Sequence, residues 1–252
     1  MIENRQAAAR IGDDLAQVRC LHGKGRRKLR LLAALRFRFH VCLSALCLPL
    51  LVSIAVGSAA APAVPSTRTI LVLGDSLSAE YGLPRDTGWV GRMSERLSRQ
   101  NRQYSVVNAS ISGDTTSGGR ARLPPLLQRW EPAIVVIELG ANDGLRGLDL
   151  DQMRNNLQAM IDACHQARAR VLLVGIRIPP NYGRDYTERF FETYALLARH
   201  NRVDLVPFLL EGFADRLDLF QPDRIHPNQQ AQGLMLDNVW PRLQPMLHRP
   251  AA

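Results

Sequence analysis

The feature that most constrains the fold is the regular alternation, after Pro65, of short apolar runs with longer amphipathic stretches. Short apolar runs predict buried strands, and amphipathic stretches of helical period predict helices. Strands that alternate with helices build a parallel sheet covered by helices on both faces. We therefore predict an α/β fold, a three-layer α/β/α sandwich with a mainly parallel five-stranded sheet.

The elements of this sandwich can be placed along the chain. The predicted strands are residues 69–73, 105–108, 134–139, 171–176 and 204–207. The predicted helices are residues 88–102, 117–130, 151–169 and 185–201, and a last one after Pro227, which suits a first helical position. A chain of 252 residues holds one sizeable core but is short for two ordinary domains. We predict a single domain over residues 64–252.

The positive charge of the chain lies mostly at its N-terminus. Residues 1–40 contain 10 of the 32 Lys and Arg residues but only 3 of the 23 Asp and Glu residues. The rest of the chain is nearly balanced, whereas a nucleic-acid-binding protein clusters its basic residues on the folded domain. We therefore predict no nucleic-acid partner.

The N-terminal region has the organisation of an export segment. A basic n-region over residues 1–40 precedes an apolar h-region over residues 41–57, and small residues at 58–63 suit signal-peptidase cleavage. We predict that residues 1–63 direct export and that the mature protein is periplasmic or secreted. The alternative is an uncleaved anchor in the inner membrane formed by residues 41–63, because about 20 apolar residues span a bilayer.

Cysteine and histidine usage gives no indication of a metal. Cys164 is the one cysteine of the predicted domain, so no disulfide can form within it. No paired Cys or His spacing predicts a metal site. We expect neither a metal nor an organic cofactor.

Polar residues follow three of the predicted strands, where ligands of open parallel sheets bind. Ser76 comes directly after the first strand, and its hydroxyl is predicted to face the cleft. The Gly113 N–H and the Asn142 side chain follow the next two strands and are suited to stabilise charge on a carbonyl oxygen. The Gly-Asp and Asn-Asp pairs at these two positions are also common turn sequences, and for either pair alone that alternative stays open.

A serine hydroxyl needs a general base, which is usually an imidazole oriented by a carboxylate. Asp223 and His226 have a suitable spacing and lie in a loop between two prolines. Asp162 and His165 have the same spacing, but the apolar stripe of their predicted helix leaves both near solvent. We predict that Asp223 and His226 are the catalytic pair.

Four blocks of sequence resemble one known family. They are residues 74–79 (GDSLSA), 108–115 (NASISGDT), 138–147 (ELGANDGLRG) and 223–227 (DRIHP). In this order they resemble the SGNH (GDSL) hydrolases, and within that family the bacterial periplasmic thioesterase I, lysophospholipase L1 and arylesterase group. The resemblance covers residues 69–247 and implies the flavodoxin-like SGNH hydrolase fold.

The resemblance also implies roles for the site residues. Ser76 would be the nucleophile, and Asp223 and His226 would complete a catalytic triad. The Ser76 and Gly113 N–H groups and the Asn142 amide would form the oxyanion hole. Residues 178–183 resemble the substrate-side loop of the family, which predicts substrate contacts for Asn181 and Tyr182.

The sequence departs from the family pattern at two positions. Glu80 stands where close relatives usually have glycine, and we predict that its carboxylate either faces the substrate entrance, where it repels anionic acyl carriers, or points to solvent. Ala141 stands where relatives often have glycine, which strains the chain only if the position requires a positive φ angle.

The leading prediction is a serine esterase or thioesterase that acts through an acyl-serine intermediate. The resemblance favours small-molecule acyl substrates: fatty acyl thioesters, lysophospholipids or aryl esters. We expect a monomer that contacts membranes only through its export segment or a lipid substrate. The alternatives are a carbohydrate O-acetylesterase and a non-catalytic surface-binding module on the same fold.

Overall fold

The structure is a computed structural model that describes residues 67–101 and 103–248. The export segment predicted over residues 1–63 lies outside the described residues. Within the described part of the chain, no helix is long and apolar enough to cross a membrane.

In the part of the chain that the structure describes, five parallel strands form one sheet. They are β1 (Arg68–Gly74), β2 (Tyr104–Asn108), β3 (Ile134–Glu138), β4 (Arg170–Val174) and β5 (Asp204–Val206). The spatial order is β2-β1-β3-β4-β5, and every neighbouring pair is parallel. This confirms the predicted sheet, and its order is the flavodoxin-like one, in which the connection changes direction between β1 and β3.

Within residues 67–101 and 103–248, six α-helices accompany the strands. They are α1 (Trp89–Gln100), α2 (Thr116–Trp130), α3 (Ala141–Leu145), α4 (Leu150–Gln166), α5 (Arg184–Asn201) and α6 (Gln232–Leu247). Because the crossover from β1 to β2 runs in the opposite direction to the later ones, right-handed connections place α1 on one face and α2, α4 and α5 on the other. The contacts agree, since α1 packs on α6 while α4 packs on both α2 and α5. The three-layer prediction is therefore confirmed.

The burial of the strands in the core explains why they could be predicted from the sequence. Every residue of β3 is buried, and residues 70–73 of β1 have no exposed surface. A strand that is covered on both faces has no polar side, so its sequence is a continuous apolar run.

The structure corrects several predicted boundaries. The helix predicted over 151–169 ends at Gln166, and Arg168 just beyond it has a left-handed φ of 58° that stops the helix. The strands predicted over 134–139 and 171–176 end at Glu138 and Val174.

Two segments differ in kind from the prediction. The Asn142-Asp143 pair, expected in a loop, lies in the short helix α3. Pro227 is not a first helical residue, because it forms an antiparallel bridge with Phe220. The last helix starts only at Gln232, after a 3₁₀ turn over Gln229–Ala231.

Candidate active site

Ser76 lies in a tight turn directly after β1, at the carboxyl edge of the sheet. The Asp75 carboxylate accepts a hydrogen bond from the Leu77 N–H at 3.0 Å, and the Asp75 carbonyl accepts one from the Ala79 N–H at 2.8 Å. These bonds turn the chain sharply and leave Ser76 at the point where the sheet order reverses, between β1 and β3.

The structure brings Ser76, His226 and Asp223 into one hydrogen-bonded row. His226 Nε2 lies 2.8 Å from Ser76 Oγ, and His226 Nδ1 lies 2.7 Å from Asp223 Oδ2. Asp223 Oδ1 also accepts the backbone N–H groups of Ile225 and His226 at 2.9 and 3.0 Å. The loop therefore fixes the carboxylate, and the carboxylate fixes the imidazole.

The environment of Asp223 keeps this carboxyl group ionised. Partial burial raises the pKa of Asp223. The hydrogen bonds from the two backbone N–H groups and from the His226 side chain lower it by more, so that the pKa is about 2. Asp223 is thus a carboxylate at any pH near neutrality, and it can accept a hydrogen bond from the protonated Nδ1 of His226.

Tyr81 is a neighbour of the imidazole that the sequence did not indicate. The ring centroids of Tyr81 and His226 are 4.4 Å apart with the planes tilted by 38°. The Gln221 side chain donates to the Tyr81 carbonyl at 2.8 Å, which ties this segment to the histidine loop. The ring covers one side of His226, although nothing in its spacing predicts that contact.

The predicted oxyanion donors lie around the same turn. Gly113 has a left-handed φ of 80°, which glycine adopts most readily. Among residues 67–101 and 103–248, neither the Ser76 N–H nor the Gly113 N–H donates a hydrogen bond. Both donors are therefore free to bind a substrate oxygen.

Asn142 also lines the cleft, but its amide already has partners. Asn142 Nδ2 donates to the Asp114 carbonyl at 3.0 Å and to Asp75 Oδ2 at 3.2 Å. These two acceptors fix the plane of the amide. Donation to a substrate oxyanion therefore requires that one of the two contacts be shared or replaced.

Arg122 of α2 is a second residue that sequence reasoning missed. Its guanidinium group pairs with Asp114 at 2.6 Å, donates to the Gly74 carbonyl at 3.1 Å and also donates to the Ala109 carbonyl. It thereby fastens the loop after β2 to the end of β1. In the sequence it resembles any other charged residue of an amphipathic helix.

Two buried carboxyl groups lie beneath the nucleophile. Glu138 Oε2 accepts the Ser78 hydroxyl at 2.6 Å and the Asp75 N–H at 3.4 Å. Burial raises the pKa of Asp75 to about 7, and burial together with the nearby Asp75 raises that of Glu138 well above its usual range. The sequence did contain a hint, because Glu138 ends an otherwise apolar buried strand.

An apolar cavity of about 530 Å³ opens beside Ser76 and His226. Its walls come from α3, from the segment after β4 and from the segment after β5. The apolar lining residues are Leu77, Ala141, Leu145, Ile176, Ile178, Pro179, Pro180, Phe208, Leu210, Ala214, Phe220 and Ile225. A cavity of this size and character suits a hydrocarbon chain.

The three residues predicted to contact substrate, Glu80, Asn181 and Tyr182, are not among the residues that line this cavity, and their contact with substrate stays a prediction. The partly exposed Glu80 carboxylate accepts the N–H groups of Asp86 at 2.7 Å and Gly88 at 2.8 Å. Asn181 and Tyr182 belong to a 3₁₀ turn outside the cavity lining, and the Tyr182 hydroxyl donates to the Leu145 carbonyl. Only the earlier part of that loop, Ile178 to Pro180, lines the cavity.

The backbone φ angles of Glu80 and Ala141 bear on the two departures from the family pattern. Glu80 has a left-handed φ of 61°, a conformation that glycine adopts more readily than glutamate. Ala141 begins α3 without a positive φ, so it is not strained.

Asp162 and His165 are exposed on α4, as predicted. No group of three His, Cys, Asp or Glu side chains in the described part of the chain is arranged to bind a metal ion.

A parallel α/β sheet that presents a serine, an imidazole and a carboxylate beside an apolar cavity defines the class of serine ester hydrolases. Residues 72–234 match the model of the GDSL-like Lipase/Acylhydrolase family. The chain belongs to this family.

Relatives of known activity agree with this assignment. The chain is 50% identical over 182 residues to Esterase TesA of Pseudomonas aeruginosa, covering 72% of this chain and 90% of the relative. It is 42% identical over 180 residues to Thioesterase 1/protease 1/lysophospholipase L1 of Escherichia coli K12, covering 71% and 85%. A crystal structure of the esterase EstA of Pseudoalteromonas sp., inhibited by monoethylphosphonate, superposes with a TM-score of 0.69 at 40% identity, covering 72% of this chain and all of that one.

Proposed function

We propose that the protein hydrolyses acyl esters and thioesters through an acyl-serine intermediate on Ser76. The observation that carries this proposal is the 2.8 Å distance between Ser76 Oγ and His226 Nε2, with Asp223 bound to the opposite nitrogen of the ring. The relatives named as esterases and thioesterases support both kinds of substrate.

The proposed first half-reaction transfers the acyl group to the enzyme. As Ser76 Oγ bonds to the carbonyl carbon, His226 Nε2 takes the hydroxyl proton and the carbonyl oxygen becomes an oxyanion. The Ser76 and Gly113 N–H groups and the Asn142 amide stabilise that charge. The oxyanion then collapses, the bond to the leaving oxygen or sulfur breaks, and His226 gives its proton to the leaving group.

The proposed second half-reaction releases the acid. A water molecule gives a proton to His226 and attacks the acyl carbon, forming a second oxyanion at the same donors. Its collapse breaks the bond to Ser76 Oγ, which takes the proton back from His226. Asp223 keeps the imidazole in the required tautomer and stabilises the imidazolium that forms in each half.

The apolar cavity favours a hydrocarbon acyl chain over an acetyl group. An acetyl group is too small to fill more than a minor part of the 530 Å³. Each buried methylene contributes about 0.8 kcal/mol. The cavity therefore supports an acyl esterase more strongly than a carbohydrate O-acetylesterase, and the assembled row of Ser76, His226 and Asp223 opposes a purely binding role.

Turnover of p-nitrophenyl esters of increasing chain length tests this proposal. We expect kcat/KM to rise about fourfold per methylene over the first few carbons, because 0.8 kcal/mol corresponds to that factor, and to level off once the cavity is full. A kcat/KM that is highest for acetate and falls with chain length would contradict the acyl-chain proposal. Acyl thioesters measured alongside extend the test to sulfur leaving groups.

We also propose that residues 1–63 export the enzyme and are cleaved, leaving residues 64–252 as the mature domain. The basic, apolar and small-residue regions in that order support this proposal. Cell fractionation followed by N-terminal sequencing tests it, with a mature start near residue 64 in the periplasm or medium expected. Recovery of the full-length chain in membranes alone would favour the anchor formed by residues 41–63. A monomeric state stays a prediction.

A further inference from the structure

Basic side chains are concentrated at the edge of the sheet opposite the active site. All five parallel strands begin at this edge, and α1, α2, α4, α5 and α6 end beside it. We call it the amino edge and define it as residues 67–69, 94–101, 103–104, 124–134, 160–170, 195–204 and 241–248. Its arginines are Arg68, Arg96, Arg99, Arg129, Arg168, Arg170, Arg199, Arg202 and Arg242.

Most of these arginines have no acidic partner. Arg99 pairs with Glu95 at 2.5 Å, and Arg96 pairs with Asp237 at 3.0 Å. None of the other seven forms an ion pair with a described residue. The remaining acidic residues of the amino edge are Glu131, Asp162 and Asp204. Seven positive charges therefore stand against three negative ones, an excess of four.

The unpaired arginines lie along a continuous surface. A groove of about 280 Å³ is lined by Arg168, Arg170 and Arg202. The adjoining groove of about 380 Å³ is lined by Arg199 and Arg242. Both grooves have the start of β5 as a common wall. The amino edge is thus a shallow basic surface rather than a set of isolated charges.

The helix dipoles do not account for this surface by themselves. The carboxyl end of a helix is partly negative and favours a nearby cation, which explains Arg129 and Arg199 in the last turns of α2 and α5. Arg68 instead begins β1, and Arg242 lies more than one turn before the end of α6. Each of the five helix ends carries about half a negative charge, so together they do not cancel the excess of four.

The active site lies at the other end of the strands. Arg68 is the first residue of β1, and Ser76 follows its last residue, Gly74. Since a strand rises about 3.3 Å per residue, the two edges of the sheet are about 20 Å apart along β1. A flat partner that binds the amino edge therefore leaves the cavity beside Ser76 open to solvent.

The connection to the export segment favours a membrane over other anionic partners. The chain enters the domain at the amino edge, because β1 begins there. Only residues 58–67 separate Arg68 from the apolar region predicted over residues 41–57. The export proposed above would therefore tether the domain to a membrane through this edge, and anionic phospholipids attract basic residues close to the membrane surface.

We propose that the amino edge is a docking surface for a bilayer that contains anionic phospholipids, and that the mature enzyme binds it with the active site facing away. This contact differs from the two membrane contacts predicted from the sequence, through the export segment and through a lipid substrate. It is electrostatic and peripheral, so salt weakens it. The bound enzyme hydrolyses soluble esters and thioesters as the free enzyme does.

Sedimentation with lipid vesicles tests this surface. Residues 64–252 suit the measurement, because they contain the whole described core and lack the apolar region. We expect binding to vesicles that mix phosphatidylglycerol with phosphatidylcholine, release by salt, and no binding to phosphatidylcholine alone. The variant Arg168→Gln/Arg202→Gln/Arg242→Gln should lower the partition constant about a hundredfold, because each arginine near an anionic surface contributes about a factor of five.

The variant Arg85→Gln/Arg184→Gln/Arg216→Gln is the matched control. It removes the same charge from exposed positions outside the amino edge. We expect it to keep wild-type vesicle binding, and both variants to keep the wild-type melting temperature and turnover of a soluble p-nitrophenyl ester.

Three results would overturn the inference. The first is an equal loss of vesicle binding in the two variants, which would assign the binding to overall charge. The second is a wild type that does not bind anionic vesicles in a salt-sensitive manner, a result that needs no variant. The third is binding of the wild type to a nucleic-acid duplex but not to vesicles. All three leave ester hydrolysis intact, whereas loss of hydrolysis by the wild type in solution would contradict the proposed function and not the docking surface.

Discussion

Replacing Ser76 with alanine is expected to lower kcat about a millionfold, and His226→Ala should lower it by a similar factor. The two residues act as one unit, because the hydroxyl is a weak nucleophile without the imidazole and the imidazole has no proton to move without the hydroxyl. Removal of both should therefore cost little more than removal of either. The measurement is single-turnover and steady-state hydrolysis of a medium-chain p-nitrophenyl ester.

His165→Ala is the control for the histidine substitution. His165 lies exposed on α4 and follows Asp162 by the same spacing that separates Asp223 from His226. We expect its variant to keep wild-type kcat and melting temperature. Loss of activity in His165→Ala, or substantial turnover by Ser76→Ala, would contradict the proposed assignment of nucleophile and base.

Asp223→Asn is expected to lower kcat about ten-thousandfold. An asparagine oxygen can still accept the Ile225 and His226 backbone N–H groups, so the loop should keep its shape. The amide cannot offset the positive charge of the imidazolium, and its N–H₂ group favours the wrong tautomer of His226.

The pH dependence of the wild type sharpens this test. Since the pKa of Asp223 is lowered to about 2, the carboxylate is lost only as the pH falls through that value, and an activity change between pH 5 and 8 does not report its titration. Asp162→Asn, on the exposed face of α4, is the control and should behave as the wild type. Unaltered kcat in Asp223→Asn would show that the carboxylate is not needed to orient or stabilise the imidazole.

The fold was predictable because its strands are buried on both faces. Residues such as Ile70 and Val136 belong to runs with no polar side, and only a covered parallel sheet produces several such runs separated by helices. The ends of the elements were less predictable. The α4 end depends on Arg168 taking a left-handed conformation, and α3 is too short for a periodic pattern to show.

The site was predictable to the extent that strand ends and loop position determine it. The carboxyl ends of parallel strands share one edge, which is why the sequence predicts Ser76, Gly113 and Asn142 at one cleft. Contacts between distant segments were not predictable. Examples are the Tyr81 ring on His226, the Arg122 guanidinium on the end of β1, and the Glu80 carboxylate on the Gly88 N–H.

The most direct test of the account is to locate the covalent adduct that a phosphonate ester forms. A p-nitrophenyl alkylphosphonate should react with the enzyme because its phosphorus centre resembles the tetrahedral intermediate of acyl transfer. Intact-mass and peptide analysis should find a single adduct, on Ser76, with its formation nearly abolished in His226→Ala. An adduct on any other residue, or continued ester turnover by a fully phosphonylated enzyme, would contradict the central claim that Ser76 carries the acyl group.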